Sequence, residues 1–405
     1  MPRHPELYHW QATLASRLPG LSKPLVALLA LWSLGMILAR CCGLSSVALF
    51  LSRVLGRPYN TVRQRLREFY QEKEAKAGAK AGRHRRDLVV TDAFAPLLRW
   101  VLSFWTCKRL VLALDPTNLG ERFHVLCVSV VYRGLGIPVA WKVLPGNTPG
   151  AWNPHWQALL DHVGAALGPG WEVLVLTDRG LESSWLFGQI VERGWHPLMR
   201  VKAGGKFRPA GWRRFYPLGA FAGRVGARYA GVGTAYKTSE RPLGCTLLAC
   251  WEAGHDEPLL VLTDLAPQAA NPCWYAWRAW IEQGFKVLKS GGWQWHKTRM
   301  TDAGRAERLW LALAVTTLWL VAVGGESDER VAVETVGRLP RAARRAGPPG
   351  RQHRVFVSGL AVLLAAWVNR TGLPRWRLDP ETWPEPWHDV PTLTEQQLCR
   401  RKVYP

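Results

Sequence analysis

The chain has 405 residues, with 53 Lys and Arg against 30 Asp and Glu, giving a formal charge of +23. At 48% hydrophobic and 20% charged residues it is neither a disordered tail nor a fibrous repeat, and its length suits two or three domains of roughly 100–200 residues each. The surplus of positive charge bears on partners rather than on fold, and predicts attraction to polyanions, either nucleic acid or an anionic membrane surface.

Residues 1–88 read as a basic helical region. Ser45 to Leu55 has an apolar helix pattern and Gly56-Arg57-Pro58 breaks it. Asn60 is the expected cap of a second helix through Tyr70. That helix presents Arg63, Gln64 and Arg67 together, as a groove-reading helix does, although a solvated basic surface gives the same pattern. Glu72 to Arg86, rich in Lys, Ala, Gly and Arg, reads as a flexible basic linker.

From Leu110 the pattern turns to strands. Leu110 to Leu114 is a short apolar run ending at Asp115, and Phe123 to Tyr132 and Ile137 to Leu144 form a hairpin through Arg133-Gly134-Leu135-Gly136. A helix from Pro154 to Leu167, a strand from Glu172 to Thr177 ending at Asp178, a helix from Ser183 to Arg193 and a strand from His196 to Val201 complete a βββαβαβ order. Residues 203–270 alternate short β-like pieces with Gly and Pro and read as a β-rich insertion. A long helix is expected from Pro272 to Ser290, capped by Asn271 and closed by Gly291. The remainder is helical apart from Arg338 to Arg354, an Arg-, Pro- and Gly-rich stretch expected to be a mobile surface segment. The fold class is therefore α/β, a mixed sheet with a β-rich insertion and helical N- and C-terminal regions. The divisions fall at 1–88, 89–202, 203–270, 271–325 and 326–405.

Three uncharged apolar runs, Pro24 to Ala39, Leu309 to Gly325 and Val355 to Val368, are each shorter than the roughly 20 residues that cross a bilayer. Buried helices are the simpler account, and no membrane partner is expected. The eight cysteines form no CxxC pair or zinc-spaced cluster with His, and most sit in apolar runs. With no signal-peptide pattern over Met1 to Lys23, a reduced, cytoplasmic protein is expected.

The Pro272–Ser290 helix carries the most chemistry. At about 100° per residue, Tyr275, Arg278, Glu282 and Lys289 share a stripe roughly 60° wide. Trp274, Ile281 and Phe285 form an apolar stripe beside it. Arg278 and Glu282 are also i,i+4 partners, so a plain ion-pair face accounts for part of the stripe. If the helix crosses the ends of the two Asp-terminated strands, Asp115, Asp178 and Glu282 meet. Such carboxylates suit hard divalent cations, and two cations a few ångströms apart suit in-line phosphodiester displacement.

Asp115 in Leu-Asp-Pro-Thr, Asp178 in Leu-Thr-Asp-Arg-Gly, and Tyr275-x2-Arg278-x3-Glu282-x6-Lys289 resemble the DDE insertion-sequence transposases with a Y-R-E-K signature. The run Ile281 to Lys289 and the β-rich stretch before Glu282 extend the resemblance, which covers residues 108–325. It implies an RNase H-like catalytic core over 89–202 and 271–325, with Asp115, Asp178 and Glu282 as ligands of two Mg²⁺ ions that Mn²⁺ can replace. It also implies cleavage at transposon ends through a hairpin intermediate, then strand transfer into target DNA by a homodimer. Tyr275, Arg278 and Lys289 would contact terminal phosphates; Arg179 is a further DNA-contact candidate, and Arg63 and Arg67 are candidates in the N-terminal region. Pro116 departs from many relatives but removes no ligand. Trp293 and Trp295 are candidates to hold a flipped base, or are ordinary packing residues. Three rivals remain: a non-catalytic or decayed DNA-binding protein, a membrane protein, and a tyrosine recombinase using His296 and Arg299, for which Tyr404 is the only downstream tyrosine.

Overall fold

The computed structural model describes residues 5–76, 86–150, 152–236, 242–327, 354–374, 376–387, 389 and 391–400. Four helices open the chain: α1 (Pro5–Arg17), α2 (Lys23–Ala39), α3 (Leu44–Leu55) and α4 (Tyr59–Arg67). α2 carries no charged residue beyond Lys23 and is buried along most of its length, because α1, α3 and α4 all pack against it. Between α3 and α4, Gly56 takes φ 58°, a left-handed cap that glycine tolerates, and the Arg57 N–H closes onto the Ser52 carbonyl at 3.0 Å. Asn60 is not the cap of α4. Pro58 stands there, its ring presetting the backbone, and Asn60 lies inside the first turn.

The stretch from Glu72 does not begin as a free linker, since Glu72 receives Arg305 at 2.8 Å and Arg308 at 2.9 Å. Most of the remaining expected linker, residues 77–85, lies outside the described residues. So does the expected mobile segment from Arg338, up to the residue before Arg354.

After α5 (Phe94–Leu102) comes a meander of β1 (Arg109–Leu119), β2 (Phe123–Tyr132) and β3 (Leu135–Pro145). The β2–β3 turn is tighter than read: Arg133 and Gly134, both at positive φ, make it alone, and Gly136 belongs to β3. α6 (Asn153–Gly164), β4 (Glu172–Thr177), α7 (Ser184–Val191) and β5 (His196–Arg200) complete the expected βββαβαβ order. β1 does not end at Asp115. It runs on to Leu119, but its parallel pairing with β4 stops at Leu114 opposite Thr177 and only β2 accompanies it further.

Residues 203–270 contain β6 (Lys206–Pro209), β7 (Tyr216–Pro217), β8 (Arg228–Ala235), β9 (Leu243–Cys250) and β10 (Leu259–Thr263). They continue the same sheet rather than forming a separate layer: β10 pairs antiparallel with β5, giving the order β3-β2-β1-β4-β5-β10-β9-β8-β6-β7. An unpaired β5 edge would leave a row of unsatisfied backbone groups, and β10 covers it.

The helix expected from Pro272 to Ser290 has three pitches. A 3₁₀ segment spans Pro272–Arg278, α8 spans Ala279–Lys286, and a π-helical turn spans Val287–Gly291. The tight start has a packing cause. In a 3₁₀ helix residues three apart eclipse, so Trp274 and Trp277 both face Trp383, at ring distances of 5.4 and 6.3 Å. The wide end lets the Val287 carbonyl take the N–H groups of both Gly292 and Trp293.

α9 (Ala303–Ser327), α10 (Arg354–Asn369) and α11 (Glu395–Arg400) close the described chain. Ala303–Gly325 is longer than the apolar run read from the sequence, and is long and apolar enough to cross a membrane. It is instead a core helix, with 94% of its most apolar window buried among α2, α10 and β3.

Candidate active site

Parallel pairing of β1 with β4 ends at Leu114 and Thr177, so Asp115 and Asp178 are the next residues along two neighbouring strands. Asp115 is fixed within the β1–β2 ladder and only 8% exposed. Asp178 is fixed by its own loop: its Oδ1 accepts the N–H groups of Gly180 at 3.0 Å and Leu181 at 3.2 Å, which leaves Oδ2 facing inward. The register that aligns two apolar strands thus also brings the two acids together.

α8 supplies the third acid by lying across β1, β2 and β3. It approaches closely because Gly284 meets Gly136 of β3. A Cβ on Gly284 would stand 2.4 Å from the Gly136 carbonyl oxygen, and one on Gly136 would stand 2.8 Å from the Ile281 Cα. Trp274, Ile281 and Phe285 are buried as the apolar stripe predicted, while Glu282 keeps a 56% exposed side chain.

The three carboxylates converge on one guanidinium. Arg278 Nη2 lies 3.0 Å from Asp115 Oδ1 and 3.4 Å from Asp178 Oδ2, and Nη1 lies 3.0 Å from Glu282 Oε1. Burial pushes the Asp115 carboxyl up to about 7, against the pull of Arg278 and Lys289 and with the help of Asp178 and Glu282. Burial works against the charge of Arg278, but Asp115, Tyr275, Asp178 and Glu282 together raise its pKa. Lys289 is half-buried, and desolvation lowers its pKa despite the opposing field of Asp115.

Among the described residues, no three His, Cys, Asp or Glu side chains stand close enough to hold one metal ion as placed. The donor chemistry nonetheless fits a hard divalent cation, because all three acids offer carboxylate oxygens around one point of positive charge. Their separation is that of a guanidinium's ligands rather than a metal's: Mg²⁺ needs oxygens at about 2.0–2.1 Å.

The other expected residues divide. Tyr275 is buried at 3% exposure and Arg278 at 5%, so neither is displayed on an open helix face as the regular-helix reading required. The 3₁₀ pitch puts them on one line and turns both inward. Arg179 is exposed and paired with Glu257 at 2.7 Å. On α4, Arg67 and Gln64 are exposed and Arg63 is half-buried, remote in the chain from the acids. Trp293 and Trp295 are core residues at 1% and 0% exposure: Trp293 donates to Thr317 at 2.9 Å, and Trp295 stacks on Phe123. A base cannot reach either ring as placed. Tyr404 lies outside the described residues.

A cleft of about 700 Å³ beside Asp178 joins the expected Arg179 to residues that sequence reading missed. Ser183, Ser184, Lys202 and Tyr236 line it with Arg179. Lys202 had a readable signal, since it follows a parallel strand at the carboxyl edge where open α/β sheets bind ligands. Glu257, which holds Arg179 and Arg200 at 2.7 Å each, had none, because only the β5–β10 pairing brings its turn here.

The family model for the transposase DDE domain matches residues 109–319, just over half of the chain. The chain belongs to the DDE transposases. The matched span runs from the start of β1 into α9, so it contains all three acids of the transposase together with Tyr275, Arg278 and Lys289. No curated protein matches its sequence. Among solved structures it is similar to a cryo-EM structure of a piggyBac transposase synaptic complex with hairpin DNA, with a TM-score of 0.36 and 12% identity over 99% of this chain and 82% of that chain. That likeness is distant, and the family assignment rests on the domain match.

Proposed function

We propose that this transposase binds the inverted ends of a mobile DNA element, cuts phosphodiester bonds there and joins the freed 3′-hydroxyls to target DNA. Asp115, Asp178 and Glu282 are its metal ligands, for two Mg²⁺ ions or Mn²⁺ in their place, on a core formed by β1–β5 and α8 that we take to be RNase H-like. The observation that carries this reading is the convergence of three acids from β1, the end of β4 and α8 on one cationic point.

When bound, such ions supply activation of the attacking water or hydroxyl and stabilisation of the leaving oxygen. The chain's own residues prepare for this. Asp115 is held rigidly by a strand, and Asp178 has one oxygen tied to backbone and the other turned into the site toward Arg278. Glu282 is reachable from solvent, so a phosphodiester can approach from the side of α8. Lys289, within electrostatic reach of Asp115, is placed to receive a phosphate next to the scissile bond. Arg179 and Lys202 along the neighbouring cleft extend the cationic path for a DNA backbone. Arg63 and Arg67 are proposed as a second DNA contact, and hairpin end processing by a homodimer as the way the two ends are handled together.

Replacing Glu282 with Gln tests the reading directly, because the side chain is exposed and the change keeps its size. Mg²⁺- or Mn²⁺-dependent cleavage of DNA carrying the element's ends should vanish while binding of that DNA stays measurable. Cleavage at the wild-type rate would overturn the assignment. The substrate is identified from the DNA flanking the gene, where inverted repeats should bracket the reading frame.

A further inference from the structure

Arg278 is placed unlike a residue that simply waits for DNA. A free phosphate contact should offer its donors to solvent, yet this side chain is 7% exposed and points them at carboxylates from three places in the fold. Nη2 serves both Asp115 and Asp178 and Nη1 serves Glu282, while Nε is buried without a hydrogen-bond partner. Among the described residues, no other cation forms an ion pair with these acids. Remove it, and three acids face one another across one small space.

We infer that Arg278 is the resident cation of the acidic cluster: its guanidinium holds Asp115, Asp178 and Glu282 in register while metal is absent, and divalent metal displaces it. The inference rests on the reading of the three acids as metal ligands. The two cations cannot share the place. A guanidinium spreads the carboxylates over two nitrogens at 3.0–3.4 Å, whereas Mg²⁺ draws its oxygens in to about 2.1 Å. The acids can close in only if the guanidinium leaves. Once out, its planar fork is free to take two oxygens of a phosphate bidentately. Arginine suits both tasks, since its terminal nitrogens reach carboxylates on different sides and the same planar fork matches a phosphate bidentately, as a point-like ammonium does not. Metal and DNA are thereby coupled through one side chain, and by reciprocity each should strengthen binding of the other.

The test uses the full chain without DNA. Mn²⁺ is titrated into wild type, Arg278→Gln, Arg278→Lys and Glu282→Gln, with free Mn²⁺ read by electron paramagnetic resonance. Thermal unfolding is measured in parallel, with EDTA and with saturating Mn²⁺. Arg278→Gln should bind Mn²⁺ about tenfold or more tightly than wild type, because the competing charge is gone. It should melt below wild type in EDTA, with the gap narrowing at saturating Mn²⁺; Arg278→Lys should fall between. An unchanged or weaker Mn²⁺ affinity in Arg278→Gln, with binding lost in Glu282→Gln, would overturn the inference and leave the proposed function standing. Mn²⁺ bound by none of the four proteins would overturn both. If Arg278→Gln does not fold, Arg278→Lys decides: tighter binding than wild type supports displacement, and equal or weaker binding refutes it.

Discussion

At the residue scale, each cation near the acids has a distinct task set by burial. Arg278 is enclosed with three carboxylates, Arg179 is exposed but tied to Glu257, and Lys289 is half-buried with only a longer-range pull from Asp115. Lys289 is therefore the residue whose removal should report on DNA contact most cleanly. In Lys289→Ala, binding to element-end DNA should weaken, and the slope of log affinity against log salt should fall by about one. An unchanged slope would take Lys289 off the list of phosphate contacts. These residue types and their spacing were legible in the sequence; the inward turn of Tyr275 and Arg278 was not, because it depends on local pitch rather than on order.

At the scale of elements, the site is assembled by one strand register and one close approach. Asp115 and Asp178 are neighbours because Leu114 pairs with Thr177, and Glu282 joins them because α8 can press onto β3 where two glycines meet. Ala in place of Gly284 would put its Cβ 2.4 Å from a backbone oxygen, which no rotamer relieves. Gly284→Ala should lower stability by about 1–3 kcal/mol in urea unfolding and should also depress cleavage, since Glu282 moves with the helix. Full stability with full cleavage would show that α8 does not need this contact. The same scale explains the broken helix: Asn271 and Gly291 were readable as ends, but Trp383, far downstream of the 3₁₀ segment, selects the tight pitch by packing on Trp274 and Trp277.

Across the whole molecule, the N-terminal helices and the sheet region share one buried core, with α2 packed against α9. Glu72 fastens the end of the helical region to α9 through Arg305 and Arg308. The hydrogen bond from Arg305, ahead of the one from Arg308, holds the Glu72 carboxyl down to about 2 from its ordinary 4.5. With the folded value depressed, the stability that Glu72 contributes is full above pH 4.5 and is lost as pH falls toward 2. Glu72→Gln should accordingly cost about 1 kcal/mol after solvent screening at neutral pH. The melting-temperature gap from wild type should close on acidification through that window. A gap that persists at pH 2 would show that the two arginines do not need the charge.

Residue order alone was enough for the succession of strands and helices, the apolar faces, the acids at Asp115, Asp178 and Glu282, and the signature that places the chain with the DDE transposases. These are local: periodicity, turn chemistry and residue spacing act within a few neighbours. It took the folded chain to establish that β10 continues the sheet from β5, that a long apolar helix lies in the core, and that Arg278 stands among the acids instead of beside them. Those outcomes turn on contacts between segments far apart in the chain, where packing and charge pairing override the pitch and exposure that a single helix would choose alone.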